Sequence, residues 1–182
     1  FPDGVWFVPL EAVRDPSLVA ATIARTLGLA PTVARSATEM LIEEIGDGRV
    51  LFVLDNFEQV VGAGPVVAEL LRPCPGLTAL ITTRVALRIS GEQEYPVPGL
   101  PSPPDIRHLS EVERLNLPRG LRDHDIDTLT AYEAVRLFIT RAMSVKPGFS
   151  VTSANAAAVA GIAATLHGMP LALELAAARI KL

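Results

Sequence analysis

Short apolar runs that alternate with helical patterns dominate the first half of the chain. The runs at 5–10, 50–54 and 77–83 have the length and composition of buried strands. Between them, apolar residues such as Ile23 and Leu27 recur at helical spacing. Strands that alternate with helices predict an α/β sheet that is mostly parallel.

Residues that start and stop helices mark the ends of these elements. Asp15 followed by Pro16 is typical of a helix start, and Gly28 of a helix end. A second helix is predicted over 34–45 and a third over 57–71.

The character of the chain changes near residue 99, after a short edge strand predicted at 95–97. Prolines and charges with weak periodicity follow. Helical patterns then return, and Thr130 with Glu133 has the spacing of a capping box. The predicted organisation is an α/β domain over 1–99, a linker or insertion over 100–128, and a helical subdomain over 129–182 that continues beyond the chain end.

One acidic residue directly follows the second strand. In the stretch RVLFVLDNFE at 49–58, five apolar residues lead into Asp55 and Asn56. Buried parallel strands deliver the residues at their carboxyl ends to the open edge of a sheet, where phosphates and Mg²⁺ bind. Asp55 is therefore the leading candidate for a metal ligand. The alternative is that Asp55 only caps the helix that follows.

Composition limits the possible functions. The chain has 182 residues, of which 49% are hydrophobic, and a formal charge of −4, which favours a globular protein and argues against nucleic-acid binding by this segment itself. The single cysteine, Cys74, fits a reducing compartment. No apolar run has the length of a membrane span or the form of a signal peptide, so we expect a cytoplasmic location.

Three motifs occur in a fixed order: LDNFE at 54–58, Thr82-Thr83-Arg84 after the third strand, and GMPLA at 168–172. In this order they resemble the STAND-class P-loop ATPases, close to NB-ARC domains, and specifically the ATPase module of large bacterial transcriptional regulators of the LuxR and SARP types. Further similar stretches are GEQEY at 91–95, YEAVRLF at 132–138 and ELAAARI at 174–180. The resemblance covers nearly the whole chain except about 103–127.

The resemblance implies a P-loop-NTPase-type sheet followed by a helical lid subdomain. The glycine-rich Walker A loop, with its lysine and Ser/Thr, is not found in the sequence. We therefore expect a fragment whose sheet lacks its first strand and whose two ends both lie inside a longer protein. The family's strand order would place the missing strand beside the run at 77–83, leaving that run with an unpaired edge.

The same resemblance assigns nucleotide-binding roles in the α/β part. Asp55 would hold a hydrated Mg²⁺ on the β- and γ-phosphates. Thr83 and Arg84 would contact the nucleotide, and the Arg84 guanidinium would distinguish ATP from ADP by binding the γ-phosphate. A surface arginine at a strand end is the alternative for Arg84.

Hydrolysis is expected to be slow at most. Many P-loop ATPases carry a second acidic residue where this chain has Asn56, and an amide cannot accept a proton from water. Glu58 is a weak candidate for the catalytic base. Its alternative role is to complement the dipole of the helix that it begins.

In the helical part, Gly168 and Pro170 would lie against the adenine, and His167 is a weak candidate for a phosphate contact. The alternatives are a helix stop followed by a helix start, and an ordinary histidine at a helix end. His108 and His124 have no metal-ligand spacing.

Together these features predict an ATP/ADP switch with Mg²⁺ in a signal-responsive transcriptional regulator. The full-length protein would self-associate and would contact DNA through a domain outside this chain. Two alternatives stay open: a regulatory ATPase module attached to a nucleotide cyclase, and a degenerate scaffold that binds no nucleotide. No nucleophilic catalytic arrangement is arguable from the sequence.

Overall fold

Two compact units make up the chain, Phe1–Tyr95 and Pro96–Leu182. The structure is a computed structural model that describes residues 1–30, 35–106 and 109–180. The division lies close to residue 99, where the sequence pattern changes. Whether the second unit acts as a lid on the first stays a prediction.

A small parallel sheet forms the centre of the first unit. Its strands are β1 (Val5–Pro9), β2 (Leu51–Asp55) and β3 (Thr78–Ile81), in the order β1-β2-β3. β2 pairs in parallel with both neighbours. The mixed α/β class and the parallel sheet are thus confirmed. The predicted edge strand at 95–97 is wrong, because these residues form no strand, and the prolines on both sides of Val97 provide no N–H for pairing.

Helices connect the strands of the first unit. They are α1 (Val19–Thr26), α2 (Ala37–Ile45) and α3 (Gly64–Leu71), with 3-10 turns at Pro16–Leu18 and Phe57–Ala63. The Asp15 side chain accepts a hydrogen bond from the Ser17 N–H at 2.9 Å, which confirms the predicted helix start. A capping box between Ser36 and Glu39 begins α2. Ala34, where this helix was predicted to begin, lies outside the described residues.

The third predicted helix, over 57–71, is interrupted. Val60 has φ −130° and ψ 34°, which is not helical. The first half is therefore a 3-10 turn, and α3 begins only at Gly64 with Pro65 in its first turn.

The two faces of the sheet differ, because alternate residues of a strand point to opposite faces. The residues of one face all belong to the core of the first unit or pack against it; they are Trp6, Val8, Phe52, Leu54, Ala79 and Ile81. This core also contains residues of all three helices. On the opposite face, Val5, Phe7 and Leu80 are 57 to 59% exposed. Among the described residues of the first unit, the helices therefore pack against one face of the sheet.

Helices alone build the described part of the second unit. They are α4 (Glu111–Leu115), α5 (Arg119–Arg122), α6 (Ile126–Thr130), α7 (Glu133–Val145), α8 (Ala156–Thr165) and α9 (Pro170–Ala178). The predicted linker over 100–128 thus includes short helices. Polar caps at Ser110 and Asp125 start two of them, and helices this short carry too few apolar residues to show a period.

The capping box predicted at Thr130 and Glu133 is wrong. Thr130 ends α6, where its hydroxyl donates to the Ile126 carbonyl at 2.9 Å. Tyr132 precedes α7 and provides no side-chain cap. The Thr130 hydroxyl therefore serves the end of α6 and does not cap the start of α7.

The main core of the second unit lies between α7, α8 and α9. Phe138 of α7 and Leu173 of α9 are its largest buried side chains, and Phe138 contacts Phe149 edge to face with ring centroids 6.2 Å apart. Within the described residues, no helix has both the length and the apolar character needed to cross a membrane.

Leucine-to-alanine substitutions on opposite faces of the sheet test whether only one face contributes to the core. Leu54 is 1% exposed and Leu80 is 57% exposed. We expect Leu54→Ala to lower the free energy of unfolding by about 2–5 kcal/mol, since it leaves a cavity. Leu80→Ala on the other face should cost less than about 1 kcal/mol. Urea denaturation of both variants measures this, and equal losses would contradict the assignment.

Candidate functional site

The carboxyl ends of β2 and β3 bring Asp55 and Thr82 into contact. The Thr82 hydroxyl donates a hydrogen bond to Asp55 Oδ1 at 2.5 Å. The same hydroxyl oxygen accepts the backbone N–H of Asn56 at 3.0 Å. Because both bonds converge on one side chain, Thr82 fixes the Asp55 carboxylate at this edge of the sheet.

Backbone pairing continues past the strands and supports this contact. The Thr82 N–H donates to the Leu54 carbonyl, and the Phe57 N–H donates to the Thr82 carbonyl, both at 3.0 Å. On the other side of β2, the Leu10 N–H donates to the Asp55 carbonyl at 2.9 Å. The backbone around Asp55 is therefore held from both neighbouring strands.

Asp55 keeps one carboxylate oxygen available. Oδ1 accepts the Thr82 bond, whereas Oδ2 accepts no hydrogen bond from the part of the chain that the structure describes. Asp55 does not cap the following 3-10 turn, whose cap position is Asn56. The capping alternative is thus wrong, and Asp55 is a partly exposed residue at the sheet edge.

Asn56 makes the sharp turn after β2. Its φ of 63° and ψ of 44° lie in the left-handed region, which asparagine tolerates better than most residues. The turn returns Phe57 to the core, where it is fully buried. Asn56 thus has a structural role, which is to make this turn, that its sequence context does not reveal.

Arg84 and Glu58 form an ion pair at the same end of the sheet. Arg84 Nε lies 3.8 Å from Glu58 Oε1, and the arginine side chain is 89% exposed. A pair this long and this exposed contributes little to stability. The pair with Glu58 therefore does not hold the Arg84 side chain firmly in place.

Thr83 lies between Thr82 and Arg84 but faces a different partner. Its hydroxyl donates to the Val85 carbonyl at 2.9 Å and accepts the Val85 N–H at 3.2 Å. Thr83 thus shapes the turn that presents Arg84, and its nucleotide contact stays a prediction. The contact between Asp55 and Thr82 was not predicted from the sequence. It follows from the strand register, because Leu54 pairs with Ile81 and the next residue on each strand is Asp55 or Thr82.

Glu92 ties down the loop after Arg84. Its carboxylate accepts the backbone N–H groups of Leu87 at 2.8 Å and Ile89 at 3.3 Å. The bond from Leu87 is the main cause of the lowered pKa of Glu92, and the bond from Ile89 adds to it. Leu87 and Ile89 pack against the core of the first unit, so Glu92 fixes the far end of the segment that carries Arg84.

The residues predicted to meet the adenine form a tight turn in the second unit. His167 and Gly168 both have positive φ, 49° and 67°, and Pro170 begins α9. His167 is exposed. The helix stop and start are thus confirmed as structure, while the nucleotide contacts of these three residues stay predictions.

Gly168 also lies at a backbone crossing. The Leu100 N–H donates to the Gly168 carbonyl at 2.9 Å. A Cβ atom on Gly168 would overlap the Leu100 carbonyl, and one on Gly99 would overlap the His167 carbonyl. Gly99 and Gly168 therefore permit this close approach of the two backbone segments. Only Gly168 was a candidate from the sequence.

The structure thus places the candidates in two groups. Asp55, Glu58 and Arg84 share the carboxyl edge of the sheet in the first unit, whereas the turn at 167–170 belongs to the second unit. Among the described residues, no three His, Cys, Asp or Glu side chains are grouped as metal ligands. A metal at Asp55 would therefore need ligands other than a cluster of described His, Cys, Asp and Glu side chains.

Mycobacterial proteins match almost the entire chain. A protein of Mycobacterium tuberculosis, provisionally named an HTH-type transcriptional regulator, is 38% identical over 180 residues, or 98% of this chain. A protein of the same provisional name from Mycobacterium bovis matches equally. An uncharacterized protein of Mycobacterium tuberculosis is 34% identical over 180 residues.

The chain spans only 17% of the length of these regulators and 39% of the uncharacterized protein. No family model matches the chain, and no solved structure matches it.

Gly168→Ala tests the backbone crossing. Alanine at positive φ is strained, and its methyl group would displace Leu100, so we expect a loss of at least about 2 kcal/mol in the free energy of unfolding. Gly148→Ala is the control, since a Cβ there meets nothing within 4 Å and the backbone is not at positive φ. Thermal unfolding compares the two variants, and equal midpoints would contradict the crossing.

The pKa of Glu92 tests the loop contact. Because the folded pKa is lowered from the ordinary 4.5, the contact stabilises the fold above that pH and is lost as pH falls through the lower folded value. We expect the Leu87 amide NMR signal to titrate with a midpoint below 4.5. Glu92→Gln should abolish this titration, and Glu69→Gln on α3 should not. A midpoint that is not lowered would contradict the contact.

Proposed function

We propose that this chain is the nucleotide-responsive module of a longer transcriptional regulator, in which Mg²⁺ with ATP or ADP binds at the carboxyl edge of the sheet. One observation carries the proposal: Thr82 fixes Asp55 with one carboxylate oxygen available, at the same end of the sheet as the exposed Arg84. The ends of parallel strands are where α/β proteins bind phosphorylated ligands.

The regulatory role draws on the relatives. Two of them are provisionally named HTH-type transcriptional regulators, and each is much longer than this chain. DNA binding would belong to another part of the longer protein, because this segment has a formal charge of −4. The module would then respond to nucleotide and pass its state to that part.

The Asp55 carboxylate suits a magnesium ion that arrives with a nucleotide. Mg²⁺ prefers oxygen ligands and keeps several waters, so it is commonly held by one or two carboxylates together with phosphate oxygens. Asp55 Oδ2 would face the ion directly or through water, while the Thr82 bond to Oδ1 maintains the orientation. The ion would neutralise phosphate charge at the sheet edge.

Arg84 would provide the difference between ATP and ADP. A guanidinium binds phosphate oxygens through charge-assisted bonds that are stronger than an exposed ion pair with a carboxylate. The γ-phosphate of ATP would therefore replace Glu58 as the ion-pair partner of Arg84. ADP, which has no γ-phosphate, would leave the pair between Arg84 and Glu58 in place. Two nucleotide states with different contacts are what a switch requires.

Catalysis would be slow and secondary. Asn56 cannot act as a base, and Glu58 has its carboxylate 3.8 Å from the Arg84 guanidinium. The chain also contains no Gly-Lys-Ser/Thr phosphate loop. Under this proposal the loop comes from residues of the longer polypeptide, and the stable outcome of binding is a change of state.

Substitutions in the longer polypeptide test the proposal. We expect Arg84→Ala to weaken ATP about 10- to 100-fold and to remove the preference between ATP and ADP, because it removes charge-assisted bonds to the γ-phosphate. Asp55→Ala should weaken Mg²⁺-dependent ATP binding more than ADP binding. Displacement of a fluorescent ATP analogue measures both.

Arg72→Ala is the matched control, since Arg72 is an exposed arginine at the end of α3. It should leave both affinities unchanged. Equal losses for ATP and ADP in Arg84→Ala would overturn the sensor role. An unchanged Mg²⁺-dependent affinity for ATP in Asp55→Ala would overturn the metal role. If the unsubstituted protein bound no nucleotide, the scaffold alternative would be favoured.

A further inference from the structure

The Thr82 hydroxyl is held in one orientation at the end of β3. Its oxygen accepts the Asn56 N–H at 3.0 Å, and its proton is donated to Asp55 Oδ1 at 2.5 Å. A backbone N–H can only donate, an ionised carboxylate can only accept, and a hydroxyl has a single proton. The two partners therefore make Thr82 a fixed donor to Asp55 Oδ1.

The backbones of these two residues are fixed as well. The Thr82 N–H donates to the Leu54 carbonyl, and the Thr82 carbonyl accepts the Phe57 N–H, both at 3.0 Å. The Asp55 carbonyl accepts the Leu10 N–H at 2.9 Å. Thr82 and Asp55 therefore cannot move apart without the loss of backbone hydrogen bonds.

The two oxygens of the Asp55 carboxylate are consequently unequal. Oδ1 accepts the hydroxyl proton, whereas Oδ2 accepts no hydrogen bond from the described residues. A cation that binds both oxygens of one carboxylate lies between them, and at Oδ1 it would compete with the positively polarised proton of Thr82. Asp55 therefore presents one oxygen to an ion, either directly or through a water molecule.

This geometry distinguishes between two common divalent cations. Ca²⁺ takes about six to eight oxygen ligands and can use both oxygens of one carboxylate, whereas Mg²⁺ keeps several waters and needs one or two carboxylates besides phosphate oxygens. Among the described residues, no cluster of three His, Cys, Asp or Glu side chains replaces the oxygen that Thr82 withholds. A single Asp55 oxygen therefore suits Mg²⁺ better than Ca²⁺.

We propose that Thr82 is a positioning residue that makes the Asp55 site selective for Mg²⁺ over Ca²⁺, because it holds Oδ1 and leaves Oδ2 for the ion. The inference rests on the proposed function, in which the ion arrives with a nucleotide. It goes further, since it assigns the choice of metal to a residue that acts through Asp55 and was not a candidate from the sequence.

The selectivity is measured in the longer polypeptide as a ratio of affinities. A fluorescent ATP analogue is titrated in the presence of Mg²⁺, of Ca²⁺ and of EDTA. Thr82→Val removes the hydroxyl and keeps the shape of the side chain, and Thr82→Ser keeps the hydroxyl. Thr78→Val is the matched control, because Thr78 is an exposed threonine at the opposite end of β3.

We expect the unsubstituted protein to bind the analogue more tightly with Mg²⁺ than with Ca²⁺. Thr82→Val should lower this ratio about tenfold, because Ca²⁺ no longer competes with a hydrogen bond to a charged group. Thr82→Ser and Thr78→Val should keep the ratio. A purely structural role of Thr82 would weaken binding with both metals alike and leave the ratio unchanged.

The folding of Thr82→Val is checked by its thermal unfolding midpoint. Thr82 is exposed, so water can replace its hydroxyl at the Asn56 N–H, and unlike the hydroxyl this water can be displaced from Oδ1 by an ion. Thr82→Ala, which also removes the hydroxyl, should shift the ratio in the same direction.

An unchanged ratio in Thr82→Val and Thr82→Ala would overturn the selectivity role and leave the proposed function in place. An equal shift in Thr78→Val would also overturn it, because the effect would then not depend on the contact with Asp55. If the unsubstituted protein bound the analogue with neither metal, the proposed function would fail together with this inference.

Discussion

The pairing of β2 with a parallel neighbour on each side is the constraint on which the first unit depends. It buries Phe52 and Leu54 under the helices of that unit. It also aligns Asp55 with Thr82, so that the strand ladder and the candidate site depend on the same register. A slip of one residue would turn the side chains of β2 to the wrong face and separate these two residues.

Much of this unit could be predicted from the sequence. Apolar runs gave the strands, and Asp15 gave the start of the first helical segment, because buried strands and polar caps are local signals. The break at Val60 and the change of capping role at Thr130 could not be predicted. Val60 is fully buried, so tertiary packing overrides the helical pattern there, whereas the Thr130 hydroxyl takes part in a competing local contact at the end of α6.

The site was predicted unevenly for similar reasons. Asp55 and Arg84 stand out in sequence because each is the first charged residue after an apolar run, at 50–54 and at 77–83. Thr82 does not, since its role comes from strand register and requires a partner 27 residues away. Gly99 was missed in the same way, as its need for a small side chain comes from a distant backbone segment.

In the proposed function, the Asp55 carboxylate held by Thr82 and the exposed Arg84 would bind a magnesium nucleotide once a phosphate loop is present. Calorimetric titration of ADP and of ATP, each with Mg²⁺ and with EDTA, tests it in the longer polypeptide and in this chain. We expect Mg²⁺-dependent ATP binding by the longer polypeptide and weak or no binding by the 182-residue chain. No binding by the longer polypeptide would contradict it.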